Sequence, residues 1–167
     1  MKPPRFLLTL LIPMMMPLSG YAQIESCVIK ISGMGSCPAC VTKVEKALRN
    51  LKVVQSVQVN LKAKTAHVVF IKKRVIRPHR LREAIEKCGF GLQDVTVTVT
   101  GRLVRLKGRT SLQVRETKQV IPLLENHQLE KLENIVKESK ERPVTITGKW
   151  TEYRGRSFIL VSRFSVH

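Results

Sequence analysis

The spacing of apolar and polar residues changes several times along this chain. Residues 27–33 alternate as in a half-buried strand, whereas the apolar residues within 38–51 recur at helical spacing. Pro78 opens a second helical segment, and Gly89 stops it. The first half is therefore predicted to contain, in order, a strand at 27–33, a helix at 38–51, strands at 57–61 and 66–70, a helix at 78–88 and a strand at 92–99.

The second half, from about Val95, consists of short alternating runs with one helical segment among them. Three strands, a helix and two strands are the order of an OB-type Greek-key barrel. A small α+β sandwich is the alternative arrangement. The predicted elements are a strand that continues from 95 to 104, strands at 111–115 and 119–124, a helix at 127–141, and strands at 143–150 and 157–164.

The sequence thus predicts an α+β protein with two domains. Residues 23–94 have the β-α-β-β-α-β order of the ferredoxin-like arrangement. Residues 95–167 are expected to form a small OB-like β-barrel domain with one helix. No Gly/Ser-rich linker separates the two, and Leu92–Val99 ends one domain and begins the next, so we expect them to pack against each other.

The first residues have the features of a signal peptide. Lys2 and Arg5 precede an apolar run, Phe6–Met16, and Gly20–Ala22 has the small-x-small pattern of a cleavage site. The run is shorter than the roughly 20 residues that span a bilayer. We predict a signal peptide at 1–22 and a periplasmic or secreted protein, with an uncleaved N-terminal anchor as the alternative.

The chain is strongly basic, with a formal net charge of +18. Such a charge attracts acidic proteins, anionic membrane surfaces or nucleic acid, and export argues against nucleic acid as the natural ligand. One basic run is interpreted as a solvated loop that could also dock an acidic partner. It contains Lys72, Lys73, Arg74, Arg77, Arg80 and Arg82.

The candidate chemistry lies between the first strand and the first helix. Cys37 and Cys40 have C-x-x-C spacing, and Pro38 suits the first helical position. Free backbone N–H groups and the helix dipole at that end lower a thiol pKa, and the thiolate is the metal-binding form. Two thiolates suit Cu(I) or Hg(II), whereas Zn(II) prefers four ligands. The histidines are scattered along the chain and are not expected to be ligands.

Residues 27–95 resemble the heavy-metal-associated domain of copper chaperones, copper-pumping ATPases and the periplasmic mercury-binding protein. The resemblance rests on Gly33-Met34, on the Cys37/Cys40 pair and on Gly89-Phe90. The family has one residue between the methionine and the first cysteine, whereas this chain has two. We therefore expect a longer, more mobile loop that Met34 does not anchor.

The resemblance implies that Cys37 and Cys40 are the metal ligands. Met34, Ser36, Phe90 and Cys88 are then expected to surround them, with Phe90 as an apolar lid. Cys88 is interpreted first as a small core residue at a helix end, and second as a thiol that approaches the pair. A Cys27–Cys88 disulfide is not expected, because Cys27 begins its strand about 20 Å from the thiol end.

These features predict an exported carrier of Cu(I) rather than an enzyme, because the sequence offers no nucleophile–base pair, phosphate loop or paired carboxylates. The expected partner is a metal donor or acceptor protein, such as a metal-transporting ATPase. An Hg(II)-binding protein is the first alternative. A thiol–disulfide exchanger and an interaction module with a structural cysteine pair are the others.

Overall fold

A computed structural model describes residues 24–137 and 142–167 of the 167-residue chain. The predicted signal peptide and the last residues of the predicted helix 127–141 lie outside these ranges. The elements in the described ranges are β1 Ile24–Ser32, α1 Pro38–Arg49, β2 Val54–Asn60, β3 Thr65–Phe70, α2 Pro78–Glu86, β4 Gly91–Leu106, β5 Arg109–Gln113, β6 Val120–Leu124, α3 His127–Val136, β7 Val144–Tyr153 and β8 Arg156–Val166.

The first unit has the predicted β-α-β-β-α-β order. Its strands lie in the order β2-β3-β1-β4, and every neighbouring pair is antiparallel. The helices α1 and α2 contact each other and this sheet. The helices and the strands share one core. The helices contribute four fully buried side chains to it, Val44, Leu48, Leu81 and Ile85. Helical spacing of apolar residues thus explains which helix faces are buried.

The second unit is a closed barrel of five strands with one helix. The strands follow one another as β4-β5-β6-β8-β7, and β7 pairs with β4 to close the barrel. The one parallel pair in this ring joins Leu123 of β6 to Ile159 of β8. Helix α3 connects β6 to β7 and buries Leu129 and Leu132. The architecture is roughly consistent with the predicted small OB-like domain.

Strand β4 belongs to both units. Its residues 91–99 pair with β1, residues 96–101 pair with β7, and residues 102–106 pair with β5. The predicted boundary between residues 94 and 95 falls inside this continuous strand. The boundary itself stays a prediction. The two units are joined by the backbone hydrogen bonds that β4 makes with strands of both.

Two further contacts hold the units together. The Gln119 Nε2 donates a hydrogen bond to the Ile76 carbonyl over 3.2 Å, which joins the β5–β6 loop to the loop before α2. His79 at the start of α2 lies 3.6 Å from a Glu152 carboxylate oxygen on β7. The buried side chains of both units form one cluster, so the expected packing of the two units is confirmed.

Several elements end at residues other than those predicted. Helix α2 ends at Glu86 instead of 88, so Cys88 lies in the turn that follows. Strand β7 reaches Tyr153, because Arg154 and Gly155 take φ values of 50° and 71° and form a tight turn. Such a turn matches the twist of the flanking strands and lets their pairing continue to its edge.

None of the helices in the described ranges has the length and apolar composition of a membrane-spanning helix.

Candidate metal site

The two predicted ligands lie where β1 passes into α1. Cys37 is the residue before the helix, with extended backbone angles of φ −92° and ψ 123°, and Pro38 is the first helical residue. The Cys40 N–H donates a hydrogen bond to the Cys37 carbonyl over 3.0 Å and so forms the first turn. The C-x-x-C spacing therefore places both side chains at the N-terminal end of α1, where backbone N–H groups lack helical partners.

The two thiols differ in exposure. Cys37 is exposed, whereas Cys40 is half-buried and packs against the core. The Cys40 backbone N–H lowers the pKa of Cys37, and the Cys40 side chain, the Ala39 N–H and the Lys43 charge add to this effect. The arrangement thus favours a thiolate at Cys37, the form that binds soft metals. Lys43 was missed in the sequence analysis, although its position on α1 is the signal that could have identified it.

The burial of Met34 contradicts one expectation from the sequence. The extra residue of the loop was expected to leave Met34 without an anchoring role, but its side chain is 1% exposed and belongs to the core. The exposed residues Gly35 and Ser36 account for the additional length instead. A side chain at Gly35 would meet no heavy atom within 4 Å, so the loop bulges into open space there. One end of the loop is thus fixed by a buried methionine.

Phe90 lies beside the same loop. A Cβ atom placed on Gly33 would be 4.0 Å from the Phe90 Cδ1, and the ring is half-buried against the core. Gly89 precedes it with φ +84°, a conformation that brings the chain back from α2 toward β4. The position fits the predicted apolar lid, and the lid role itself stays a prediction.

The other two cysteines do not join the pair. The Cys88 thiol donates to the Ala84 carbonyl over 3.2 Å and lies 3.6 Å from the Lys43 carbonyl, so it is held between the two helices. Cys27 is buried among the strands, and burial raises the pKa of its thiol. All four cysteines are free thiols, in agreement with the expectation that Cys27 and Cys88 are not bonded.

Within the described ranges, no second donor set competes with the pair. Among the described residues, no group of three or more His, Cys, Asp or Glu side chains could hold a metal ion. His79 and His127 each lie beside a glutamate, and His167 lies beside Thr145. A four-ligand site is therefore not offered in this part of the chain, and the two thiols are the donor set that fits a two-coordinate ion.

Comparison with known proteins identifies the first unit. Residues 28–91 match the family described as the heavy-metal-associated domain. The probable copper-exporting P-type ATPase of Archaeoglobus fulgidus is 33% identical over 78 residues, which are 47% of this chain. This chain spans only 10% of that relative's length. Residues 28–91 thus form a heavy-metal-associated domain, a metal-binding type of domain.

Two solved structures are also similar to this chain. The N-terminal domain of a potential copper-translocating P-type ATPase from Bacillus subtilis, in its Cu(I)-loaded state, is 31% identical. The match covers 42% of this chain and 85% of that chain, with a TM-score of 0.38. Oxidized MerP from Ralstonia metallidurans is 25% identical, and the match covers 41% of this chain and 93% of that one, with a TM-score of 0.38.

Proposed function

We propose that this protein is an exported carrier of Cu(I), which it binds through Cys37 and Cys40 and passes to a partner protein. The observation that supports this most is the placement of two free thiols, one exposed, at the first turn of α1 in a heavy-metal-associated domain. Soft thiolate ligands select Cu(I) over harder ions. Cu(I) is here the cargo of the protein.

An open site of two thiolates is suited to transfer. A thiolate of the acceptor adds to the bound ion as a third ligand, and the bond to one of the two cysteines then breaks. Neither the metal nor the sulfur atoms change oxidation state in this exchange. The exposed Cys37 is the side chain that an acceptor can approach, whereas Cys40 is partly covered by the core.

The location and the partner form part of the proposal. The basic, apolar and small-x-small regions of residues 1–22 support export to the periplasm or beyond. A metal-transporting ATPase is proposed as the acceptor or donor, because the relative from Archaeoglobus fulgidus carries that description. For the barrel, the order of three strands, a helix and two strands supports an OB-type fold.

An anaerobic titration of the reduced protein with Cu(I), against a competing chelator, tests the metal site. We expect binding of one ion per chain that is lost in the Cys37→Ser/Cys40→Ser variant. Cys88→Ser is the matched control, because it removes a thiol that is held between the helices, and it should bind as the native protein does. Equal binding by the double variant would overturn the proposal.

A further inference from the structure

Two loops from different units adjoin at the side of the molecule where β3 ends. Residues 71–77 connect β3 to α2, and residues 114–119 connect β5 to β6. The buried Ile76, which is 1% exposed, fixes the first loop, and its carbonyl accepts the hydrogen bond from Gln119 in the second. We call the exposed side of these two loops the junction surface.

The junction surface carries a concentrated positive charge. Six exposed cations lie on it, and Glu116 is the one acidic residue within the two loops. None of the six forms an ion pair with a carboxylate in the described part of the chain. The six are Lys72, Lys73, Arg74, Arg77, Arg115 and Lys118.

Exposed aliphatic side chains stand among these charges. Ile71 is 39% exposed and Val75 is 49% exposed, and they flank three of the cations. Neither loop contains an aromatic residue, so the surface lacks the stacking groups that single-stranded nucleic acids require. Cations interleaved with exposed aliphatic groups are instead the chemistry that binds anionic lipid headgroups and enters the acyl boundary.

We propose that the junction surface docks the protein onto an anionic phospholipid membrane. The geometry leaves the thiol site accessible in the docked state. Ser26 pairs with Val69 close to the junction surface, and Ser32 pairs with Gly91 beside the thiol loop. These two positions on β1 are six residues apart, so the cysteine pair lies about 20 Å from the docked end.

Vesicle co-sedimentation of the full chain tests this proposal. The test variant is Lys72→Gln/Lys73→Gln/Arg74→Gln. The control, Arg105→Gln/Arg109→Gln/Lys131→Gln, removes the same charge from exposed positions on the barrel. Both retain the apolar run Phe6–Met16, so any membrane affinity of that run cancels in the comparison.

We expect the native chain and the control to bind vesicles of phosphatidylcholine and phosphatidylglycerol, and to bind pure phosphatidylcholine weakly. The test variant should bind the anionic vesicles about a hundredfold more weakly, since each basic residue near an anionic surface contributes about fivefold. Val75→Ser should lower the binding that persists at high salt, where charges are screened.

Equal binding by the test and control variants would overturn the proposal, as would failure of the native chain to bind. Binding to an acidic protein or to nucleic acid without binding to vesicles would also overturn it. All substituted side chains are exposed, and thermal unfolding checks that each variant is folded. Cu(I) titration of the same variants keeps this result separate from the proposed carrier function, because neither triple variant touches the cysteine pair.

Discussion

Cys27 shows how one buried side chain makes stability depend on pH. Its pKa is raised by burial in the native state and has its ordinary value in the unfolded chain. Below the ordinary value both states hold the proton, and the native state keeps its full advantage. As the pH rises above that value the unfolded chain releases the proton, so the native state loses stability.

We predict that Cys27→Ala removes this alkaline loss. At alkaline pH, the free energy of unfolding of the native protein should fall more steeply with pH than that of the variant. The two slopes should differ by up to about 1.4 kcal/mol per pH unit. At neutral pH the variant should be less stable by about 1 kcal/mol, because it leaves a small cavity. Urea unfolding of both proteins at neutral and alkaline pH measures the difference, and parallel curves would contradict the prediction.

At the scale of elements, Gly101 stands where β4 passes from pairing with β7 to pairing with β5. A Cβ atom there would lie 2.6 Å from the Gln113 carbonyl oxygen and 3.0 Å from the Leu112 Cγ. Because the nearer atom belongs to the backbone, the strands must separate to accept a side chain.

We predict that Gly101→Ala lowers the free energy of unfolding by about 2–3 kcal/mol. Gly91→Ala is the control on the same strand, since a Cβ at that position meets only the Ser32 side chain, which can rotate away. It should change the stability by less than about 1 kcal/mol. Urea denaturation compares the two variants. If Gly101→Ala left the free energy of unfolding unchanged, β4 and β5 would separate at little cost.

The hydrophobic pattern predicted the type and order of the elements well, because each helix or strand buries one face of its side chains. The ends of elements were predicted less well. The extension of β7 to Tyr153 depends on backbone angles at Arg154, which no apolar pattern encodes. The C-x-x-C pair was recognisable from its spacing, whereas the burial of Met34 depends on how the loop folds over the core.

At the scale of the whole molecule, the shared strand and the single core predict that both units unfold together. Leu132→Ala on α3 removes a fully buried side chain of the barrel and should cost about 2–5 kcal/mol. Trp150 fluorescence reports on the barrel, and thiol labelling of Cys27 reports on the first unit. We expect both probes to report the same unfolding midpoint, lowered by the substitution. If Cys27 stayed protected from labelling after Trp150 became exposed, the two units would not unfold together.

Cooperative unfolding has a further consequence for metal binding. An ion that binds the native thiol pair stabilises every element that unfolds with it, by about 2.7 kcal/mol at a free concentration of a hundred times the Kd. We predict that Cu(I) raises the unfolding midpoint measured at Trp150, although this residue lies on β7, outside the thiol loop. The Cys37→Ser/Cys40→Ser variant should show no such shift. If the shift appeared only in Cys27 labelling, the barrel would unfold independently, and the bonds of β4 would not couple the two units.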